Sequence, residues 1–155
     1  MAELKTQGTE IFILDDTNSG SEVEKIGQVT NIGAIGGTAG EINVTNLDST
    51  AQEVLAGLKD NGTVSIDIDW DPQDASHVTL DSLVGGDTNK RFFIACSEAD
   101  TDPTYSSTFT LPTDRTTLDF DAAVLSFQKT GGTDDVWRAT LQLRISGDIT
   151  ITAAS

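Results

Sequence analysis

Asp67-Ile-Asp-Trp-Asp71 opens with the D-x-D-x-D spacing of a calcium loop, in which alternate carboxylates converge on one hard cation. Such a loop needs glycine at its sixth position and a bidentate glutamate at its twelfth, where this chain has Pro72 and Val78. The EF-hand reading therefore fails. On an extended chain the three carboxylates share one face, either as a solvated acidic surface or as an incidental cation site. Nucleophilic catalysis needs a base oriented by a third group, and His77 is the only imidazole in the chain. It falls inside a predicted helix, three residues before Leu80, where packing or solvent contact accounts for it. Cys96 ends an apolar run and reads as a small buried hydrophobe. One Cys and one His make neither an intramolecular disulfide nor a soft-ligand zinc site.

Gly33-Ala-Ile-Gly36-Gly37-Thr-Ala-Gly40 matches neither G-x-G-x-x-G nor G-x-x-x-x-G-K-[ST], and no lysine follows it. These glycines permit an unusual backbone path. With twenty-five Asp and Glu in the chain, any pair of carboxylates chosen as a glycosidase dyad is nonspecific. Asn43-Val-Thr45 and Asn61-Gly-Thr63 match the glycosylation pattern, which has no meaning in a chain kept in the cytoplasm. The expectation is a protein without catalytic residues, cofactor or metal.

Charge narrows the partners. Nine Lys and Arg against those acids leave a net charge of −16, which repels phosphate and disfavours sequence-specific nucleic-acid binding and anionic membranes. A hydrophobic fraction of 37% over 155 residues is enough to close one core and suits one domain. Met1-Ala-Glu-Leu-Lys-Thr-Gln-Gly8 lacks the basic start and apolar run of a signal peptide, and no run approaches the roughly 20 apolar residues of a membrane span. A soluble protein made in the cytoplasm is expected.

Strands dominate the pattern. Residues 10–14 form an apolar strand, the turn formers from Asp15 onward predict a mobile loop over 15–24, and the Ile and Val residues from Lys25 to Val44 predict two strands joined by a flexible glycine connection. Ala51, Val54, Leu55 and Leu58 recur at helical spacing, with Thr50 and Glu53 in capping-box register, and predict a short helix. Val64, Ile66, Ile68 and Trp70 alternate with Ser65, Asp67, Asp69 and Asp71, a half-buried strand with an acidic outer face. Asp71 as cap, Pro72 at the first helical position and Leu80, Leu83 and Val84 on one stripe predict a helix over 73–84. Strands follow at 91–96 and 108–111.

Between Thr117 and Lys129 the apolar phase switches from Leu118, Phe120 and Ala122 to Ala123, Leu125 and Phe127, as a bulge or a change of buried face requires. The turn Thr130-Gly131-Gly132-Thr133 then leads into unbroken alternation from Trp137 to Ile145. A thirteen-residue strand spans roughly 43 Å, so this hairpin should run the height of the domain. The inferred fold class is mainly β, an antiparallel sandwich or barrel-like domain with one flanking α-helix.

Lys25-Ile-Gly-Gln-Val-Thr-Asn-Ile-Gly-Ala-Ile-Gly-Gly-Thr-Ala-Gly-Glu-Ile-Asn-Val-Thr-Asn-Leu-Asp-Ser49, then Gly57-Leu-Lys-Asp60, Asp71-Pro-Gln-Asp-Ala-Ser-His77 and Leu141-Gln-Leu-Arg-Ile-Ser-Gly147, resemble in order and spacing the major tail tube proteins of long, flexible-tailed bacteriophages. The resemblance implies a structural protein of the virion tail, made in the host bacterial cytoplasm and related in fold to type VI secretion tubes. It implies hexameric rings stacked around the tape measure protein, partners at the tail tip and tail terminator, and an acidic lumen through which DNA passes without sequence-specific binding. It further implies one tail-tube domain over 1–155 without the immunoglobulin-like C-terminal domain that some members carry.

Within that frame Asp67 and Asp69 are lumen candidates, and the polar segments 15–24 and 36–50 are flexible loops that order on assembly. Gly36, Gly37, Thr38, Gly40, Glu41, Asn43 and Thr45 are the assembly-loop candidates. Arg91, Arg138 and Arg144, beside strands with apolar faces, are either ordinary solvated charges or partners for a neighbour's acids. Two other readings compete. A related hexameric secretion-type tube protein would differ in its neighbours, and a calcium- or carbohydrate-binding β-sandwich module would stay monomeric and gain thermal stability with its ligand.

Overall fold

A computed structural model describes residues 3–15, 22–86, 89–106 and 108–155. Along the chain run β1 (Glu10–Asp15), β2 (Glu22–Lys25), β3 (Val29–Ile32), β4 (Thr38–Asn43), β5 (Val54–Asp60), β6 (Thr63–Asp69), α1 (Ala75–Leu83), β7 (Lys90–Ala95), β8 (Thr104–Tyr105), β9 (Phe109–Thr110), β10 (Thr117–Thr130) and β11 (Arg138–Thr152). Seven strands form one antiparallel sheet in the order β2-β1-β7-β10-β11-β6-β3, while β4 pairs only with β5 and β8 only with β9. The strand-rich antiparallel architecture with one helix agrees with the expected fold class.

Alternation places the core. Ile66 and Ile68 of β6, Leu141 and Leu143 of β11, Phe120 and Val124 of β10, Phe92 of β7 and Ile11 and Ile13 of β1 all project to one face and are buried. Each such side chain contributes about 1.5–3 kcal/mol. The phase problem in β10 resolves as a bulge: pairing with β11 slips between Val124 and Ser126, leaving Leu125 half exposed and returning Phe127 to the core. The buried face does not change. β11 runs to Thr152, seven residues beyond the last residue of the predicted alternation, and pairs with β10 along its length.

The sheet curls until its two edges are joined by one stretch of chain. Between β2 and β3, the Ile26 N–H donates to the Ile11 carbonyl at 2.8 Å and the Gln28 carbonyl accepts from the Asp69 N–H at 3.0 Å. Gly27, between them, has no strand beside it, and α1 takes that place. Its N–H donates to Ser76 Oγ (3.2 Å), and its carbonyl accepts from His77 Nε2 (2.8 Å). His77 is fully buried, its Nδ1 accepting from the Asp71 N–H at 3.0 Å. It is therefore a structural peg across a gap in the ladder. A Cβ on Gly27 would lie 2.4 Å from Asp74 Oδ2, so any larger residue there would have to displace the carboxylate that caps the helix.

Three expectations need correction. Residues 51–58 are not a helix: Val54–Asp60 is β5, because Val54 and Leu55 pair across a ladder with Asn43 and Ile42, and Glu53 bonds Thr45 instead of capping a turn. The helix is capped by Asp74, whose Oδ1 accepts from the Ser76 N–H at 2.9 Å. Asp71 makes an earlier turn with the Gln73 N–H, so Pro72 precedes the helix. Within the loops expected over 15–24 and 36–50, Glu22–Lys25 and Thr38–Asn43 are strands, and 16–21 lie outside the described residues.

On the other face, Phe12, Leu14, Phe93 and Ala95 form a second cluster covered by Val23, Phe109 and Leu111. The covering segment between β7 and β10 is anchored by Arg115, whose side chain is wholly buried. Nε donates to the Cys96 carbonyl (2.7 Å), Nη1 to Glu10 (3.0 Å) and to the Thr101 carbonyl (3.1 Å), and Nη2 to the Ala95 carbonyl (3.0 Å). Cys96 is only partly buried, and burial together with the charge of Glu98 pushes its thiol up. Burial tends to raise the Glu10 carboxyl, but hydrogen bonds and charge from Lys25 and Arg115 outweigh it and hold the group below its ordinary value.

Breaking a buried pair from one side leaves the other groups desolvated, so Arg115→Ala should lower the unfolding free energy by about 3–5 kcal/mol in urea titrations. The depressed Glu10 carboxyl stabilises the fold above its unfolded pKa, near 4.5, and that contribution is lost as pH falls through the lower folded value. The stability gap between the wild type and Glu10→Gln should accordingly narrow as pH falls below that point; a gap constant with pH would contradict the assignment.

Candidate functional site: an uncovered sheet face and a projecting arm

The second face of the sheet is covered only over β1 and β7. Over β10, β11 and β6 it is bare, and the residues there are the polar members of each alternation: Ser65 and Asp67 on β6, Gln142 and Arg144 on β11, and Gln128 on β10 are exposed. The acidic outer face predicted for the strand around 64–70 lies here. Asp67 accepts from Asn31 Nδ2 and Thr140 Oγ1, each at 3.4 Å. Asp69 is half buried, and its Oδ1 is enclosed without a hydrogen-bond donor among the described residues.

The three arginines singled out from the sequence all have acids within the chain. Arg91 forms a bidentate pair with Asp119 across β7 and β10, with Nε to Oδ1 at 2.8 Å, and its guanidinium lies 5.9 Å from the Phe109 ring centroid. It helps to hold the cover on the sheet. Arg138 meets Asp135 at 3.3 Å and Arg144 meets Asp60 at 3.0 Å, both pairs in solvent. The Arg144 hydrogen bond leads the effects that hold the Asp60 carboxyl below its usual range. Each arginine on this face is thus matched, whereas neither Asp67 nor Asp69 has a cationic partner among the described residues, and the strip stays net acidic.

The second feature is the β4–β5 hairpin, which belongs to no larger sheet. Its strands pair Ile42 with Leu55 and Asn43 with Val54, and its tip is stitched locally. The Thr45 N–H donates to Asn43 Oδ1 (2.9 Å), the Glu53 N–H donates to Thr45 Oγ1 (2.7 Å), and the Asp48 N–H donates to Asn46 Oδ1 (2.9 Å). Of the assembly-loop candidates, Thr38, Gly40, Glu41, Asn43 and Thr45 therefore lie on the arm, and Gly36 and Gly37 at its root. The apolar side chains matter more to its surface, and those on β5 are the ones whose spacing predicts a helix. Ile42, Val44, Val54 and Leu55 are about half exposed, while Leu58 and Leu47 are 94% and 105% exposed. A two-stranded hairpin is marginal in water by itself, and a group of apolar side chains left exposed on one marks a contact surface.

Among the described residues no catalytic set comes together. His77 is sealed in the core, and among the described residues no three His, Cys, Asp or Glu side chains converge as metal ligands. No helix is long and apolar enough to cross a membrane.

Comparison with known proteins agrees with this architecture. "Structural protein 3" of Pseudomonas phage PAJU2 is 28% identical over 152 residues, covering 94% of this chain and 91% of that protein. Among solved structures, a chain of the tail of the gene transfer agent particle shares the fold with a TM-score of 0.68 at 18% identity, covering 97% of this chain and all of the other. The SPP1 tail tube protein does so with a TM-score of 0.69 at 10% identity, over 97% of this chain and 80% of the other. A chain of the sheath-tube complex of an extracellular contractile injection system has a TM-score of 0.68 at 11% identity, over 98% and 93% of the two chains. The profile of the lambda-like phage tail tube family runs over residues 2–155, and the chain belongs to that family of structural, non-enzymatic virion proteins.

Proposed function

We propose that this tail tube subunit joins copies of itself into stacked six-membered rings, with the bare face of β10, β11 and β6 turned to the lumen and the β4–β5 arm reaching onto a neighbouring copy. The observation that carries this reading is the arm, with Leu47 and Leu58 fully in solvent on a subunit whose core is otherwise closed. Six-fold symmetry is the symmetry stated for the tail of the gene transfer agent particle. The rings enclose the tape measure protein and end on tip and terminator proteins. The subunits are made in the host cytoplasm before they join the virion.

The bare face suits passage of a polyanion. Phosphates held by fixed cations must break those contacts to slide, and here each arginine is neutralised by an aspartate while Asp67 and Asp69 keep the field negative. Arg138 and Arg144, paired only in solvent, can exchange Asp135 and Asp60 for acids of a neighbour at little cost. Arg91 is committed to its own subunit.

Electron microscopy and light scattering over a concentration series should show rings or hollow tubes for the wild type. Leu47→Asp with Leu58→Asp should leave monomer stability within about 0.5 kcal/mol, because both side chains are exposed, yet abolish tubes. Tubes of normal length from that variant would remove the arm from assembly. Asp67→Lys with Asp69→Lys should still assemble but cut DNA delivery by the reconstituted particle; unchanged infectivity would count against a luminal position.

A further inference from the structure

The two pairings β3–β6 and β4–β5 keep one register. Next to the bend Asn31 faces Asp67 and Ile32 faces Ile66 in the sheet, Thr38 faces Asp60 and Ala39 faces Lys59 in the arm, and these four pairs of numbers each add to 98; beyond a bulge at either end, as in Val29–Ile68 and Ile42–Leu55, the sum is 97. The arm is therefore the outer half of a single ribbon whose inner half lies in the sheet, and the ribbon bends between them.

At the bend the same register sets Gly37 opposite Asn61. A Cβ at Gly37 would lie 2.5 Å from Asn61 Oδ1, so the asparagine side chain lies directly over the glycine. Asn61 is 6% exposed, and its Nδ2 donates across to the Gly147 carbonyl on β11. There β11 bulges. Between Ser146 and Thr150 it spends two more residues than β10 does between Asp121 and Asp119, and Gly147 sits at φ +79°.

The last main-chain bond from β11 to the ribbon, from the Ile145 N–H to the Gly62 carbonyl at 3.0 Å, is immediately below. Past it the bulge moves β11 off the ladder, and the Asn61 amide makes the one buried link there, beside two ion pairs in solvent, Asp60 with Arg144 (3.0 Å) and Lys59 with Asp148 (3.4 Å). Asn61 Oδ1 has no donor among the described residues, so the amide is held in place despite one unsatisfied end.

We propose that Asn61 is the positioning residue that aims the arm. Resting on the assembly reading above, the inference is that the Asn61–Gly147 link, backed by Gly37, fixes the bend of the ribbon so that the apolar arm leaves the sheet in one direction. The arm is then a lever preset for a neighbouring copy and is not a loop that orders only on contact. With the link removed, only two solvent-exposed ion pairs, each worth little, restrain a bend that has glycines on one strand and Gly62 on the other, and each subunit must lose the added freedom on docking.

Pulsed electron spin resonance on the monomer, with nitroxides on Leu47→Cys and Gln142→Cys in a Cys96→Ser background, reads the direction of the arm. A single narrow distance distribution is expected with Asn61 in place. The distribution should be about twofold broader or more in Asn61→Ala and, from the other side of the contact, in Gly37→Ala, with the tube growth rate falling about tenfold, as the loss of one ordering hydrogen bond per subunit predicts. Equal widths in all three chains, or a broad distribution in the wild type, would overturn the proposal, as would unimpaired growth of the broadened variants. Distances that respond to both substitutions in a chain that never forms tubes would support the aiming role and sink the assembly reading instead.

Discussion

A sheet has two faces to keep from water, and in this protein a single helix is available to cover one of them. Everything else follows from how the remaining surface is handled. The core face is curled around its own apolar side chains and closed by the stretch between β2 and β3, with α1 laid over the seam. Because the closing stretch has no strand beside it at Gly27, the helix must supply the missing hydrogen-bond partners, and Ser76 and His77 do so from its first turn. The only imidazole of the chain is thereby spent on satisfying a carbonyl.

The second face is divided. Over β1 and β7 the side chains are apolar and need a cover, which the long connection before β10 provides. That connection has little apolar content of its own, and a buried arginine compensates. Arg115 gathers three carbonyls and Glu10 around one guanidinium, joining strand ends that lie far apart in the sequence. The planar fork suits this task where a lysine would not, since several donors must point in fixed directions at once. Over β10, β11 and β6 the same face carries polar residues, needs no cover and receives none. A covered half and a bare half on one sheet give the subunit a hydrated acidic strip of defined place.

The arm has the opposite character. Its backbone is satisfied by β4–β5 pairing and by Asn43, Thr45 and Asn46 at the tip, but its apolar side chains Ile42, Leu47, Val54, Leu55 and Leu58 stay largely in solvent. A closed core beside an appendage with exposed apolar side chains is the combination on which the proposed assembly rests. The register kept across the bend makes the strand that carries the acidic strip and the arm parts of one ribbon and not independent features.

Much of this was legible in the residues. The alternation in Val64 to Trp70 and in Trp137 to Ile145, with apolar and polar members on opposite faces, is a local property of the extended chain and needs no partner to be read. The acidic balance, the absence of any coherent nucleophile or ligand set and the helix near Leu80 were equally local. The spacing of Ala51, Val54, Leu55 and Leu58 was ambiguous for a physical reason: a short apolar run satisfies helical and extended periodicity alike, and only cross-strand pairing with β4 decides between them. Long-range partners also decided the burial of Arg115 against Glu10, the peg of His77 under Gly27 and the meeting of Gly37, Asn61 and Gly147. The sequence by itself determined which residues face together along each strand, because side-chain alternation is built into the backbone. Which faces are covered, and where the arm points, were decided only by tertiary structure, because those depend on hydrogen bonds between segments that no spacing along the chain encodes.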